Sequence, residues 1–149
     1  MKQRFARYCY STLLASATFL TVGLGALSAK AQEMYNPLPL VSGEEIADLL
    51  SQKDIPTGDG GFSRDYKVRL EQGDNVAIDL LSDEFDPMVI LIATDGATVA
   101  ENDDGPDGTT NSLLFARITD AGDYIVRVRA FGETGGGNFR LKVTRLKPI

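Results

Sequence analysis

Along most of the chain the apolar positions recur every second residue. Tyr66, Val68 and Leu70 alternate with Lys67 and Arg69, and Val76, Ile78 and Leu80 with Ala77 and Asp79. Further on, Tyr124, Val126, Val128 and Ala130 alternate with Ile125, Arg127 and Arg129, and Phe139, Leu141 and Val143 with Arg140, Lys142 and Thr144. Successive side chains of a strand point to opposite faces, so each segment predicts a strand with one face in a core and the other in water. Met88 to Ala93 is a continuous apolar run, which predicts a strand covered on both sides; Leu113 to Ile118 predicts another. Turn-forming clusters separate these segments, among them Gln72-Gly73-Asp74, Asp95-Gly96, Asp104-Gly105-Pro106-Asp107-Gly108 and Gly135-Gly136-Gly137-Asn138. Short strands punctuated in this way indicate an antiparallel sandwich or barrel.

Residues 43–51 admit two readings. Ser42-Gly43-Glu44-Glu45 has the form of a capping box, and Ile46, Leu49 and Leu50 fall at helical spacing, so the local pattern allows a short helix. The family order described below makes the same segment the first strand. Residues 113–124, Leu-Phe-Ala-Arg-Ile-Thr-Asp-Ala-Gly-Asp-Tyr with Leu114 completing the run, end in an Asp-x-Gly-x-Tyr turn. That is the pattern of a tyrosine corner, in which the Tyr124 hydroxyl bonds backbone at a crossover between sheets. Val126 stands where antibody domains carry a cysteine, so the corner is expected without a disulfide.

The ordered set of these pieces is similar to a known family. Gly43 to Leu50, Asp65 to Leu70, Gly73 to Leu80, Phe85-Asp86-Pro87, Asp95-Gly96, Glu101 to Gly105, Asn111-Ser112, Ala121 to Tyr124 and Asn138 to Val143 resemble the bacterial pre-peptidase C-terminal domain. The collagen-binding domains of clostridial collagenases look similar. The resemblance spans roughly 43–146 and implies an all-β fold, a jelly-roll-like antiparallel β-sandwich of about eight strands. It further implies a non-catalytic accessory domain that assists secretion, stability or substrate attachment of a secreted peptidase, in several members with calcium. Two features depart from the family. No peptidase precedes the domain, and Pro37-Leu38-Pro39-Leu40 replaces the acidic lead-in that feeds a calcium site in the collagen-binding branch. The acidic pair near the second strand survives as Asp54 and Asp65, separated by an insertion that includes Gly58-Asp59-Gly60-Gly61.

The N-terminus changes the charge arithmetic. Lys2, Arg4 and Arg7 precede an uncharged apolar stretch from Tyr8 to Leu27, followed by Ser28-Ala29-Lys30-Ala31. This is the pattern of a signal peptide cut after Ala31, leaving 32–42 as an extended lead-in and 43–149 as the domain. Export outside the cytoplasm, to periplasm or medium, is the expectation. The leader carries four of the 15 basic residues, none of the 21 acidic ones and the only cysteine, and the chain has no histidine. The exported form then has eleven basic against 21 acidic residues, a net charge of −10 instead of −6. Such acidity disfavours nucleic acid. Without His or Cys, zinc and redox-metal sites and Ser-His or Cys-His nucleophiles have no donors.

Calcium is the candidate cofactor, because it takes six to eight oxygens from carboxylates, amides and carbonyls in a loop. Asn102, Asp103, Asp104 and Asp107 supply four such side chains within six positions. Asp86 joins them if the intervening strands pair, with Asp83 and Glu84 beside it; Asp54 and Asp65 are added by the family resemblance. The same residue types also serve ordinary turns. The basic residues fall on strands, and Arg127, Arg129, Arg140 and Lys142 are the candidate contacts for a partner on a basic sheet face. Three functional classes remain open: an exported module binding a polysaccharide, matrix or partner protein; a structural accessory of a separately encoded hydrolase; and a small hydrolase using paired carboxylates.

Overall fold

The computed structural model describes residues 35–106, 108–132 and 135–146; the leader therefore lies outside the described residues. From Pro37 onward the chain forms one compact unit. Its strands are β1 (Leu38–Pro39), β2 (Glu45–Leu50), β3 (Ile55–Pro56), β4 (Phe62–Leu70), β5 (Asn75–Leu81), β6 (Pro87–Ile92), β7 (Thr98–Asn102), β8 (Ser112–Arg117), β9 (Gly122–Ala130) and β10 (Gly137–Leu146). Among the described residues there is no helix. Two of the ten strands have two residues each, so the eight longer ones are the sandwich expected from the sequence.

The strands form two sheets. The first has the order β1-β4-β9-β6-β7, with β3 also on β4; the second has the order β2-β10-β5-β8. The alternating apolar positions of both sheets meet between them. Tyr66, Val68 and Leu70, Val89 and Leu91, and Val126 and Val128 face Leu50, Ile78, Leu80, Leu114, Leu141 and Val143, all almost fully buried. β6 lies between β9 and β7. Val89 and Leu91 point into the core, and Ile90 on the other face is only 9% exposed, as its continuous apolar run implied.

Residues 45–50 are a strand. Six register pairs along β10 supply the backbone bonds that a lone two-turn helix would have had to nucleate by itself. The lead-in also joins the fold: Leu38 and Pro39 pair in parallel with Tyr66 and Lys67, and Leu40 is buried in the core. The tyrosine corner is present. Residues 118–121 carry the chain from β8 in one sheet to β9 in the other, and the Tyr124 hydroxyl donates to the Asp120 carbonyl at 2.7 Å.

Candidate functional site

Four connections meet at one end of the sandwich: 51–61 after β2, 82–86 between β5 and β6, 103–111 between β7 and β8, and 131–136 between β9 and β10. Polar side chains tie the 82–86 turn to Asn111 and to the start of β10. The Ser82 backbone N–H donates to the Asn111 side-chain Oδ1 at 3.0 Å, and the Ser82 hydroxyl donates to the Asn138 backbone carbonyl at 2.8 Å. Glu84 takes the Asn138 amide N–H at 3.0 Å and its side-chain Nδ2 at 2.7 Å. These donors hold the Glu84 carboxyl below the usual carboxylate range.

Most of the predicted acidic residues gather at this end, without forming a single site. Asp86, Asp103 and Asp104 come near one another: burial first, then the charges of Asp103 and Asp104, push the Asp86 carboxyl above its usual range. The Asn102 amide is used structurally, since its Nδ2 donates to the carbonyls of Asp104 and of Leu113. Asp107 lies outside the described residues. Asp54 and Asp65 do not join the group. Asp54 caps the Ser51 amide at 2.7 Å and pairs with Arg64 Nη1 at 2.7 Å. Asp65 sits in β4 under a two-bond fork from Arg127, Nε to Oδ1 and Nη2 to Oδ2, both 2.8 Å. Among the described residues no three acidic side chains stand close enough to hold a metal ion.

The four basic residues do not share a face. Arg127 and Arg129 lie on β9 in the first sheet, Arg140 and Lys142 on β10 in the second, so their outward sides look away from each other. Sequence alternation gives the facing of a residue within its own strand but not which sheet the strand joins. Three of the four are also engaged by acids. Arg127 holds Asp65, Arg129 Nη2 reaches Asp59 Oδ2 at 4.0 Å, and Arg140 Nη1 reaches Glu45 Oε1 at 3.7 Å.

A groove of 430 Å³ opens between β2, the start of β10 and the 82–84 turn. Its polar lining includes Asp48, Asp83, Glu84, Asn111, Asn138 and Arg140, with Leu49 and Leu81 as apolar patches. Behind it, Arg64 of one sheet reaches Asp48 of the other, Nε to Oδ2 at 2.9 Å, close as an ion pair but not aligned as a hydrogen bond. The Tyr66 hydroxyl donates to the same Asp48 oxygen at 2.8 Å. Burial, then this bond to a carboxylate, raises the Tyr66 hydroxyl above its ordinary pKa. Sequence reasoning did not single out Asp48, Arg64 or the groove. The available signal was two charged residues in the core phase of their strands: Asp48 between Ile46 and Leu50, and Arg64 two before Tyr66.

Residues 62–130 match the family described as bacterial pre-peptidase C-terminal domain. No curated protein matches the chain in sequence. Among solved structures, the pre-peptidase C-terminal domain of collagenase from Bacillus anthracis superposes with a TM-score of 0.56 at 12% identity, covering 72% of this chain and 94% of that one. Two periplasmic inhibitors of g-type lysozyme show a looser likeness. Aeromonas hydrophila PliG has a TM-score of 0.47 at 11% identity, covering 72% of this chain and 99% of that one. Salmonella Typhimurium PliG has a TM-score of 0.46 at 9% identity, covering 74% and 99%. Residues 62–130, which run from β4 through β9, thus match the bacterial pre-peptidase C-terminal domain family, and the sandwich built around them is similar in fold to that domain of the collagenase.

Proposed function

We propose that this is an exported, non-catalytic attachment module that holds a hydroxyl-bearing extracellular polymer, a polysaccharide foremost, in the groove at its loop end. The family name supports the accessory part, since it describes an appendage to a peptidase. The lining of the groove carries the rest. Carboxylates and side-chain amides offer acceptors and paired donors to hydroxyl groups, while Leu49 and Leu81 offer apolar contact. With Asp48 paired to Arg64, Asp83 and Glu84 still outnumber Arg140 in the lining, so like-charge repulsion works against an acidic polymer there. Arg127, Arg129 and Arg140, bound to acids of their own domain, are less suited to an anionic partner than their sequence positions suggested.

Retention of the purified protein on insoluble polysaccharides and on collagen tests the reading. Arg140→Ala and Leu49→Asp are each expected to weaken retention on one of these matrices about ten-fold, equal to about 1.4 kcal/mol. Arg129→Ala, on the other sheet, is expected to leave it unchanged. Equal retention in all variants would remove the groove and leave a structural accessory of a separate hydrolase.

Calcium enters this reading through charge relief. Asp86 binds its proton more tightly in the folded state, so its contribution to stability is present below the unfolded carboxylate range and is lost as pH rises through its raised folded value. At neutral pH, where that proton has left, divalent cations in solution relieve the mutual repulsion of Asp86, Asp103 and Asp104 by screening rather than by a fixed cage. Thermal unfolding in millimolar calcium, in millimolar magnesium and with chelator is expected to show small, equal upward shifts for the two cations. A large shift with calcium alone would instead reveal a specific cage.

A further inference from the structure

The two sheets treat their open edges differently. The outer edge of β4 is covered by β1 and β3. At β2, the Leu49 N–H bonds Asp48 Oδ1 at 2.8 Å, and the Leu49 carbonyl receives Arg64 Nη1 at 3.4 Å. On β7 the register with β6 shifts between Leu91 and Ile92, an irregularity of the kind that hinders edge pairing. β8 is the last strand of the second sheet and, among the described residues, pairs only with β5. Its first outward residue is closed: the Leu113 N–H bonds the Asp104 carbonyl at 3.1 Å, and the Leu113 carbonyl receives Asn102 Nδ2 at 2.8 Å.

Alternation along the strand turns the backbone groups of Phe115 and Arg117 to that same side. No described residue bonds them there. The Phe115 side chain is 62% exposed, and Arg117 is exposed with no acidic partner among the described residues. A hollow beside them is lined by Asn75, Phe115, Arg117 and Leu146.

This edge is complementary to itself. In an antiparallel pairing centred on Ala116, Phe115 of one copy lies opposite Arg117 of the other, and both positions turn N–H and C=O toward the shared edge. The two-fold repeats the pair, giving four backbone hydrogen bonds and two guanidinium–ring contacts, with the two Arg117 side chains kept apart. We propose that β8 pairs antiparallel with β8 of a second copy in this register, joining the two four-stranded sheets into one of eight. Two edge residues per copy bury far less than a permanent interface, so the dimer belongs to the weak, concentration-dependent class. The acidic charge of each copy opposes it, and salt strengthens it by screening.

Sedimentation equilibrium of the purified protein, up to millimolar concentration and at two salt concentrations, tests the proposal. Wild type is expected to dimerise reversibly, and more at higher salt. Phe115→Lys, which sets like charges opposite each other, is expected to weaken dimerisation at least about ten-fold. Phe115→Glu is expected to retain it, because the new carboxylate meets the partner's Arg117, and adding Arg117→Glu to that variant is expected to abolish it. A monomer under all conditions overturns the proposal. So does a dimer indifferent to Phe115→Lys, or one lost equally with Lys and Glu, which would signal face-on contact of the phenyl group. A monomer that instead takes up a strand-forming peptide would assign the edge to a foreign strand. Far-ultraviolet circular dichroism of each variant separates lost pairing from lost fold.

Discussion

Replacing Arg127 by Ala is expected to lower stability by about 3 kcal/mol, with a fall in melting temperature of about 10–15 °C. Asp65 is the reason. Its side chain is 1% exposed, and both carboxylate oxygens are met by the Arg127 fork. Taking away the guanidinium removes both of these charge-assisted bonds from a buried carboxylate, which costs more than the pair itself contributes. The Arg127 side chain is 33% exposed, so solvent screens part of the attraction and the loss falls at the lower end of the range for buried pairs. Arg127→Lys is expected to recover only part of it, because an ammonium group cannot reproduce two parallel bonds. Urea unfolding with an unchanged denaturant slope checks this. A midpoint within a degree or two of wild type for Arg127→Ala would show that the pair carries no weight. The result also bears on function: binding lost on reversing Arg127 would report a damaged fold before it reported a lost contact.

Gly137→Ala is expected to cost about 2–4 kcal/mol and to disorganise the groove. Gly137 opens β10 with φ at 144°, and a Cβ there would stand 2.6 Å from Glu84 Cβ. Glu84 Cβ is not the free end of a side chain, so the 82–86 turn has to move, and with it the two bonds from Glu84 to Asn138. Gly96→Ala is the control: φ is 87° and nothing lies within 4 Å of the added carbon, so only the backbone penalty of about 1–2 kcal/mol applies. Equal midpoints for the two variants in thermal unfolding would show that the contact with Glu84 is unimportant. A larger loss for Gly137→Ala, accompanied by lost retention on the polymer matrix, ties the glycine to the shape of the groove.

The long strands were legible because burial on one face imposes a period of two, which β9 carries from end to end and β4, β5 and β10 carry over Tyr66–Leu70, Val76–Leu80 and Phe139–Val143. The corner at Tyr124 was legible because its motif is local, placing the hydroxyl four residues from the carbonyl it bonds. β7 left no such trace, since Thr98 to Asn102 lies at a sheet edge with every position exposed or only partly buried. β1 and β3 are two-residue segments ending in proline, and only the presence of β4 makes strands of them. Residues 43–51 were ambiguous because a capping box is a local signal, whereas the partner that made them a strand lies about ninety residues further along.

The chemistry divides in the same way. The sequence by itself determined an alternating all-β domain, an acidic balance, the absence of His, and the residue types available for binding. Tertiary structure decided which of them meet. Asp65 and Arg127 are 62 positions apart, Glu84 and Asn138 are 54 apart, and Arg127 and Arg140 end on opposite sheets. Side-chain parity is a property of one strand, whereas ion pairs, grooves and open edges depend on which strands become neighbours. That choice is made by the packing of the whole core.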